Sequence, residues 1–375
     1  LLRAVEARGR REDRRGRRME SLFTKLQDII SADPPRHEEA LVVIAEILQQ
    51  DPEDADALHC KLVCLIQMRS FDEAFRLLSS KAPLRDNHFE RAYVLYRLNR
   101  QLEALESLDR CPKDGGGGVA ELRAQVLYRL GRYTDSAQCY KALDAEVVDP
   151  AELAANRAAA LCAAGESEAA EKVIAATAAM VDMTPDMAYN KACCVIERGS
   201  WREALAALDE AEALFVEQAA EHGETEEEVA DDRIVYQVQR AHIKHRMGQL
   251  DAALEGYEAA LRAKPSDAEV AAVASNNLFA VRGRESNMFD TAKKAKALNF
   301  DEAVEAKLTV PQRRVFALNR CLLALYMNKV KECTAALGKL EREFEGSELP
   351  VLVRAAVLAK DKQTDECARL LHDYA

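Results

Sequence analysis

A small residue recurs twelve positions after another small residue along most of this chain, a rule that few folds can accommodate. The pairs are Ala92/Ala104, Ala124/Ser136, Ala158/Ala170, Ala192/Ala204, Ala241/Ala253, Ala280/Ala292, Cys321/Cys333 and Ala355/Cys367. Their second members follow one another at roughly 30 to 41 residues, with one longer step of about 49, which is the period of a stacked supersecondary unit.

A twelve-residue offset across a short turn brings two antiparallel helices together at one point, where small side chains let the axes approach to about 8–10 Å. The phrases Gly131-Arg132-Tyr133-Thr134-Asp135-Ser136, Gly199-Ser200-Trp201-Arg202-Glu203-Ala204 and Gly248-Gln249-Leu250-Asp251-Ala252-Ala253 supply the turn, a packing plug and the small contact. A larger apolar residue follows four positions later at Tyr140, Leu208, Tyr257 and Leu337, and Pro52 and Pro265 close two units. This is the tetratricopeptide pattern, one helix hairpin of about 34 residues per repeat. The expected fold is all-α, a right-handed superhelical solenoid of about nine to ten such hairpins over residues 19–375.

Nearly half the residues are apolar but only 6% are aromatic, a mix that suits thin helical layers. The formal charge of -12 argues against a nucleic-acid surface spread over the whole molecule. It is unevenly placed: residues 1–18 hold eight arginines against three acids, and without them the charge becomes about -17. That segment reads as a basic, disordered arm before an acidic body, with Met19 as a candidate natural start. It has neither the apolar stretch of a secretory signal nor the acid-free composition of a mitochondrial presequence. No run of eighteen apolar residues is present, so no membrane insertion is expected. The ten cysteines are scattered without a Cys-x-x-Cys, and three of them stand at the small contact positions. Reduced structural thiols and a cytoplasmic location follow.

Along the array, the first hairpin runs from Leu22, Leu26, Ile29 and Ile30 to Ala40, Ile44 and Ile47, with Pro34-Pro35 at its turn. In the second, about Ala55 to Ser80, Leu62 opposes Ala74 where other units have a small residue, which predicts a looser or tilted joint. Gly115 to Gly118 reads as a flexible connector, because no strand precedes it and no Lys-Ser/Thr follows as a phosphate loop requires. The longest interval contains an acidic insertion near 217–232, read as a lengthened helix with a solvated loop or as a docking site for a basic partner. Lys293, Lys294 and Lys296 make either a basic patch or a solvated face.

Catalytic patterns are missing: there is no Gly-x-Ser-x-Gly, phosphate loop or His-Glu-x-x-His, and the array leaves no room for a catalytic domain. His242 and His245 could offer two metal ligands, but no acid or cysteine supports them, so neither metal nor cofactor is expected. The usable surface of such a solenoid is its concave face, lined by the first helix of each hairpin. Counting back from the small markers puts His59, Val63, Phe89, Tyr93, Tyr96, Arg97, Gln125, Tyr128, Arg129, Asn156, Tyr189, Asn190 and Cys193 there. Tyr-Arg-Leu recurs at 96–98 and 128–130, and asparagine recurs fourteen residues before the marker at Asn156, Asn190 and Asn319. Asparagine can pair with an extended peptide backbone, tyrosine supplies rigid contact area, and arginine holds carboxylates; the same residues could equally satisfy neighbouring hairpins.

Several phrases are less generic. Ala57-Leu58-His59-Cys60-Lys61-Leu62-Val63-Cys64-Leu65-Ile66-Gln67, Arg91-Ala92-Tyr93 running into Tyr96-Arg97-Leu98-Asn99-Arg100, Tyr189-Asn190-Lys191-Ala192-Cys193-Cys194, and Val273-Ala274-Ser275-Asn276-Asn277 through Phe289-Asp290 resemble the amino-terminal half of the seventy-two-kilodalton subunits of eukaryotic signal recognition particle. The likeness covers roughly residues 38–372. It implies a non-catalytic scaffold gripping the carboxy-terminal region of the particle's sixty-eight-kilodalton subunit, in support of co-translational targeting to the endoplasmic reticulum. It further implies indirect contact with the ribosome, a cytoplasmic particle and nucleolar assembly. The family's RNA-binding segment, with its Pro-Asp-Pro and Arg-Trp-Leu-Pro signatures, is not among these residues, so RNA contact is expected mainly through segments outside them. Two other classes fit a bare helical array: an adaptor for acidic chaperone tails, which would need lysines on the first helices, and a regulatory scaffold of a multi-subunit enzyme.

Overall fold

The computed structural model describes residues 16, 18–112, 116–143, 149–282, 302–344 and 346–375. Among them every regular element is a helix, and they fall into two compact units, Leu1–Val126 and Leu127–Ala375. The basic arm lies outside the described residues except at positions 16 and 18, which carry helical backbone.

In the first unit, helical backbone over 18–30 (α1) packs on α2 (His37–Gln50) by burying Leu22, Leu26 and Ile29 against Ala40, Val43, Ile44 and Ile47. Then come α3 (Ala55–Gln67), α4 (Phe71–Ser80), α5 (His88–Arg97), α6 (Gln101–Leu108) and the start of α7 (Gly116–Arg129). Helix α3 begins at Asp54, whose carboxylate accepts the Ala57 N–H at 2.8 Å and so satisfies a donor that the helix itself cannot. It ends where Arg69 adopts a left-handed φ of 58°, which sends the Ser70 N–H back to the Leu65 carbonyl at 2.8 Å. The α5–α6 turn repeats this with Asn99 at φ 59° and Arg100 N–H on Leu95.

The second unit continues with α8 (Tyr133–Ala142), α9 (Pro150–Ala163), α10 (Ser167–Ala178), α11 (Pro185–Glu197), α12 (Trp201–His222), α13 (Glu226–Asp232), α14 (Ile234–Arg246) and α15 (Leu250–Ala263). It closes with α16 (Ala268–Arg282), α17 (Glu302–Lys307), α18 (Val310–Tyr326), α19 (Val330–Glu343), α20 (Glu348–Lys360) and α21 (Thr364–Tyr374). Nine helix hairpins can be traced among the described residues, α1–α2 through α20–α21, and the chain is an all-α tetratricopeptide solenoid.

The small pairs set the hairpin contacts. Ala92, Ala104, Ala124, Ser136, Ala158, Ala170, Ala192, Ala204, Cys321 and Cys333 have 0% exposure, so no larger side chain fits at these points without displacing a neighbour. Cys367 Sγ donates to the Ala355 carbonyl across its own pair at 3.3 Å. One pair departs: Ala280 is exposed and Ala292 lies outside the described residues. Helix α16 is rotated to bury Ser275, Asn276, Leu278 and Phe279 instead, because Asn276 Oδ1 accepts from Asn319 Nδ2 at 2.8 Å in the core. Leu62 and Ala74 are both fully buried in one cluster with Leu58, Leu78 and Val94, so the larger residue is taken up inside the joint.

One further expectation changes. Gly116, Gly117 and Gly118 form the first turn of α7 rather than a loop, and Gly115 lies outside the described residues. Glycine is tolerated there because the first turn of a helix leaves its N–H groups unpaired in any case, and Gly118 passes under Phe89, whose ring is 3.6 Å from where a Cβ would stand. The acidic stretch extends α12 to His222, stops at Gly223 with φ 71°, and restarts as α13 through a capping box between Thr225 and Glu228. Behind it, the buried carboxylate of Glu212 accepts from Arg233 Nε at 2.6 Å and from Arg240, which also holds Asp209. Lys293, Lys294 and Lys296 lie outside the described residues.

Candidate peptide-binding surface

The first helices carry the counted residues, and each unit is taken by itself. In the first unit, Phe71, Tyr93 and Arg97 form a stack: the rings meet edge-on at 6.3 Å, the guanidinium lies 4.5 Å above Phe71, and Arg97 donates to the Tyr93 hydroxyl at 2.8 Å. A stacked arginine keeps its remaining donors pointed outward with little rotamer freedom to lose. His59 meets Glu90 at 3.2 Å, Gln125 donates to Glu121 at 3.1 Å, and Tyr96 is partly buried. Val63 and Phe89 remain 38% and 39% exposed, which is high for apolar side chains and leaves them available to a partner. Phe89 borders a cavity of ≈ 520 Å³ with His88, Cys111, Gly118 and Val119.

In the second unit, Tyr128 packs edge-on against Tyr133 at 5.2 Å, and burial pushes its hydroxyl up to about 12. Arg129 donates to the backbone carbonyl of Lys307. Tyr189 packs on Tyr236 at 5.6 Å, and burial holds its pKa well above the usual value. Burial likewise pushes the Cys193 thiol up to about 12, which makes it a neutral packing group at any ordinary pH. All ten cysteines are free thiols.

Asn156, Tyr189 and Asn190 come together on one polar cavity of ≈ 450 Å³ between the amino-terminal ends of α9 and α11, walled by Asp149, Glu152, Asp186 and, from the extended α12, Gln218. The chain folds this way because α9 and α11 both start with a capping residue and proline: Asp149 accepts the N–H groups of Ala151 and Glu152 at 2.9 and 3.0 Å, and Thr184 accepts from Met187 at 3.3 Å. Of the three periodic asparagines, Asn190 donates to the Ala155 carbonyl at 2.9 Å and Asn319 bonds Asn276, so both serve joints between hairpins. Asn156 faces the cavity. The carboxylates were not on the counted offsets. Their signal was the Asp-Pro and Thr-Pro-Asp openings of successive first helices, which must share one edge of the stack.

Burial first, then the neighbouring Arg246 and His245 charges, depress the His242 pKa to about 4. Among the described residues no group of His, Cys, Asp and Glu is arranged to hold a metal ion, and no helix is long and apolar enough to cross a membrane.

The family model SRP_TPR_like, a TPR-like repeat, matches residues 38–162. Signal recognition particle subunit SRP72 of Canis lupus familiaris is 33% identical over 342 residues, 90% of this chain and 50% of that protein, and the Homo sapiens SRP72 gives the same values. SRP72 of Schistosoma mansoni is 32% identical over 362 residues, 95% of this chain and 50% of that protein. The chain thus spans about half the length of the curated relatives it matches.

Proposed function

Because this chain belongs to the SRP72 family of signal recognition particle subunits, we propose that it is a non-catalytic scaffold whose first-helix face holds an extended segment of another particle protein, the carboxy-terminal region of the sixty-eight-kilodalton subunit. In that role it supports delivery of nascent secretory and membrane proteins to the endoplasmic reticulum from a cytoplasmic particle. The observation that carries the reading is the α9–α11 cavity, where Asn156 and Gln218 offer both donors and acceptors to a peptide backbone. Asp149, Glu152 and Asp186 around it favour a basic side chain on that peptide. The same carboxylates disfavour the acidic tail of a chaperone, for which lysines would be needed.

Calorimetric titration of the chain with a peptide from that region is the test. Asn156→Ala and Asp186→Lys should each weaken binding by about 1 kcal/mol or more, with helical content unchanged. Undiminished affinity in both folded variants would move the site off α9 and α11.

A further inference from the structure

Two residues at the corner between α17 and α18, Lys307 and Val310, reach back across the sequence to the α7–α8 turn, all within the second unit. Arg129, the last residue of α7, donates to the carbonyl of Lys307, 178 positions away. Val310 lies over Gly131, so closely that a Cβ on Gly131 would stand 2.7 Å from Val310 Cγ2. The Tyr133 hydroxyl lies close enough to the Val310 backbone to feel its polar groups. Between these points Leu308 is 1% exposed against Ala272 and Phe316, and Thr309 caps α18 through a reciprocal pair with Gln312. Beside them Glu269 sits in the field of both Arg129 and Lys307.

The corner is therefore a shaped, capped and packed piece of chain, and it occupies a first-helix residue that is a candidate peptide contact. In this state the Arg129 Nη1 is engaged by the chain's own Lys307 carbonyl rather than held out for a partner. Solenoid neighbours pack in sequence order, so a contact 178 residues long is not needed to stack any hairpin on the next.

We propose that the Lys307–Val310 corner is an intrachain clasp that competes with the peptide partner: it releases from Arg129 and Gly131 when the peptide binds, and the freed Arg129 guanidinium takes a carboxylate or carbonyl oxygen of the peptide. The proposal rests on the peptide-binding reading above. A binding-competent state hidden behind a closed clasp lowers apparent affinity by the fraction of time it is open.

Val310→Asp is the opening variant. It removes the side chain seated on Gly131, while an acid in the first turn of α18 suits the helix dipole and preserves the helix start. With a peptide from the carboxy-terminal region of the sixty-eight-kilodalton subunit as probe, it should bind about tenfold more tightly than the unmodified chain, the factor imposed by a clasp closed about nine-tenths of the time. Hydrogen–deuterium exchange on the unmodified chain gives a readout free of any substitution: saturating peptide should speed exchange over 307–310. Unchanged or slower exchange there, or equal affinity in Val310→Asp, overturns the clasp and leaves the binding reading standing. Binding by neither chain overturns the binding reading, and the clasp's role falls with it.

Discussion

Hairpin α3–α4 of the first unit and hairpin α11–α12 of the second solve one packing problem with different residues. At the contact, the former sets Leu62 against Ala74 and the latter Ala192 against Ala204, and all four are fully buried. At the turn, Arg69 holds φ 58° in one and Gly199 φ 75° in the other, yet both send the next N–H back five residues, Ser70 to Leu65 at 2.8 Å and Ser200 to Val195 at 3.3 Å. The second helix is then 10 residues long in one case and 22 in the other. Backbone geometry at the turn is the fixed requirement. Volume at the contact is negotiable as long as each joint is filled, and helix length is free to serve the surface.

The sharpest break of this comparison is Leu62→Ala, which copies the α11–α12 contact into α3–α4. The joint is built around the leucine, so the exchange should leave a cavity and cost about 2–5 kcal/mol, read as a fall in the midpoint of chemical denaturation. An unchanged midpoint would mean that the α3–α4 joint collapses freely. The reverse exchange, Ala204→Leu, overfills a contact with no spare volume and should cost about 1–3 kcal/mol. Equal stability there would show that the small pair is not what sets the helix separation.

These contacts were legible because a repeat writes the same local problem many times, and a twelve-residue offset survives changes of residue type. The α16 register was not: Ala280 follows the offset, but the buried Asn276–Asn319 pair decides which side of α16 faces inward. Nor could periodicity find the carboxylates at Asp149, Glu152 and Asp186, which owe their convergence to helix starts rather than to the counted face. The Arg129–Lys307 contact was beyond reach altogether, since sequence spacing encodes neighbours in the stack and this pair is not one.

The extended α12 adds a charge network that α4 lacks, and pH separates the two. Burial alone would raise the Glu212 pKa, but hydrogen bonds from Arg233 and Arg240 hold it below the usual carboxylate value. A depressed carboxylate contributes stability at pH above its unfolded pKa, and that contribution is lost as pH falls through the folded value. Glu212→Gln should therefore lower stability near neutral pH and flatten its decline in acid. An acid limb identical to that of the unmodified chain would remove Glu212 from the account.

The smallest effects lie at the turns. Gly199→Ala places a Cβ in ordinary contact with Trp201, so its penalty is that of the left-handed backbone alone, about 1–2 kcal/mol. Arg69→Gly runs the exchange the other way: it relieves a comparable strain at an exposed residue, while the added freedom of glycine in the unfolded chain takes back about 0.4–1 kcal/mol. The net expectation is a gain of about 0.5 kcal/mol, with Lys362→Gly at φ 62° behaving alike and Asn99→Gly gaining less, because asparagine already tolerates this region. Equilibrium denaturation of the three variants orders them. If Asn99→Gly gained the most, strain at the turn residue would not be what distinguishes the glycine-turned hairpins from the others.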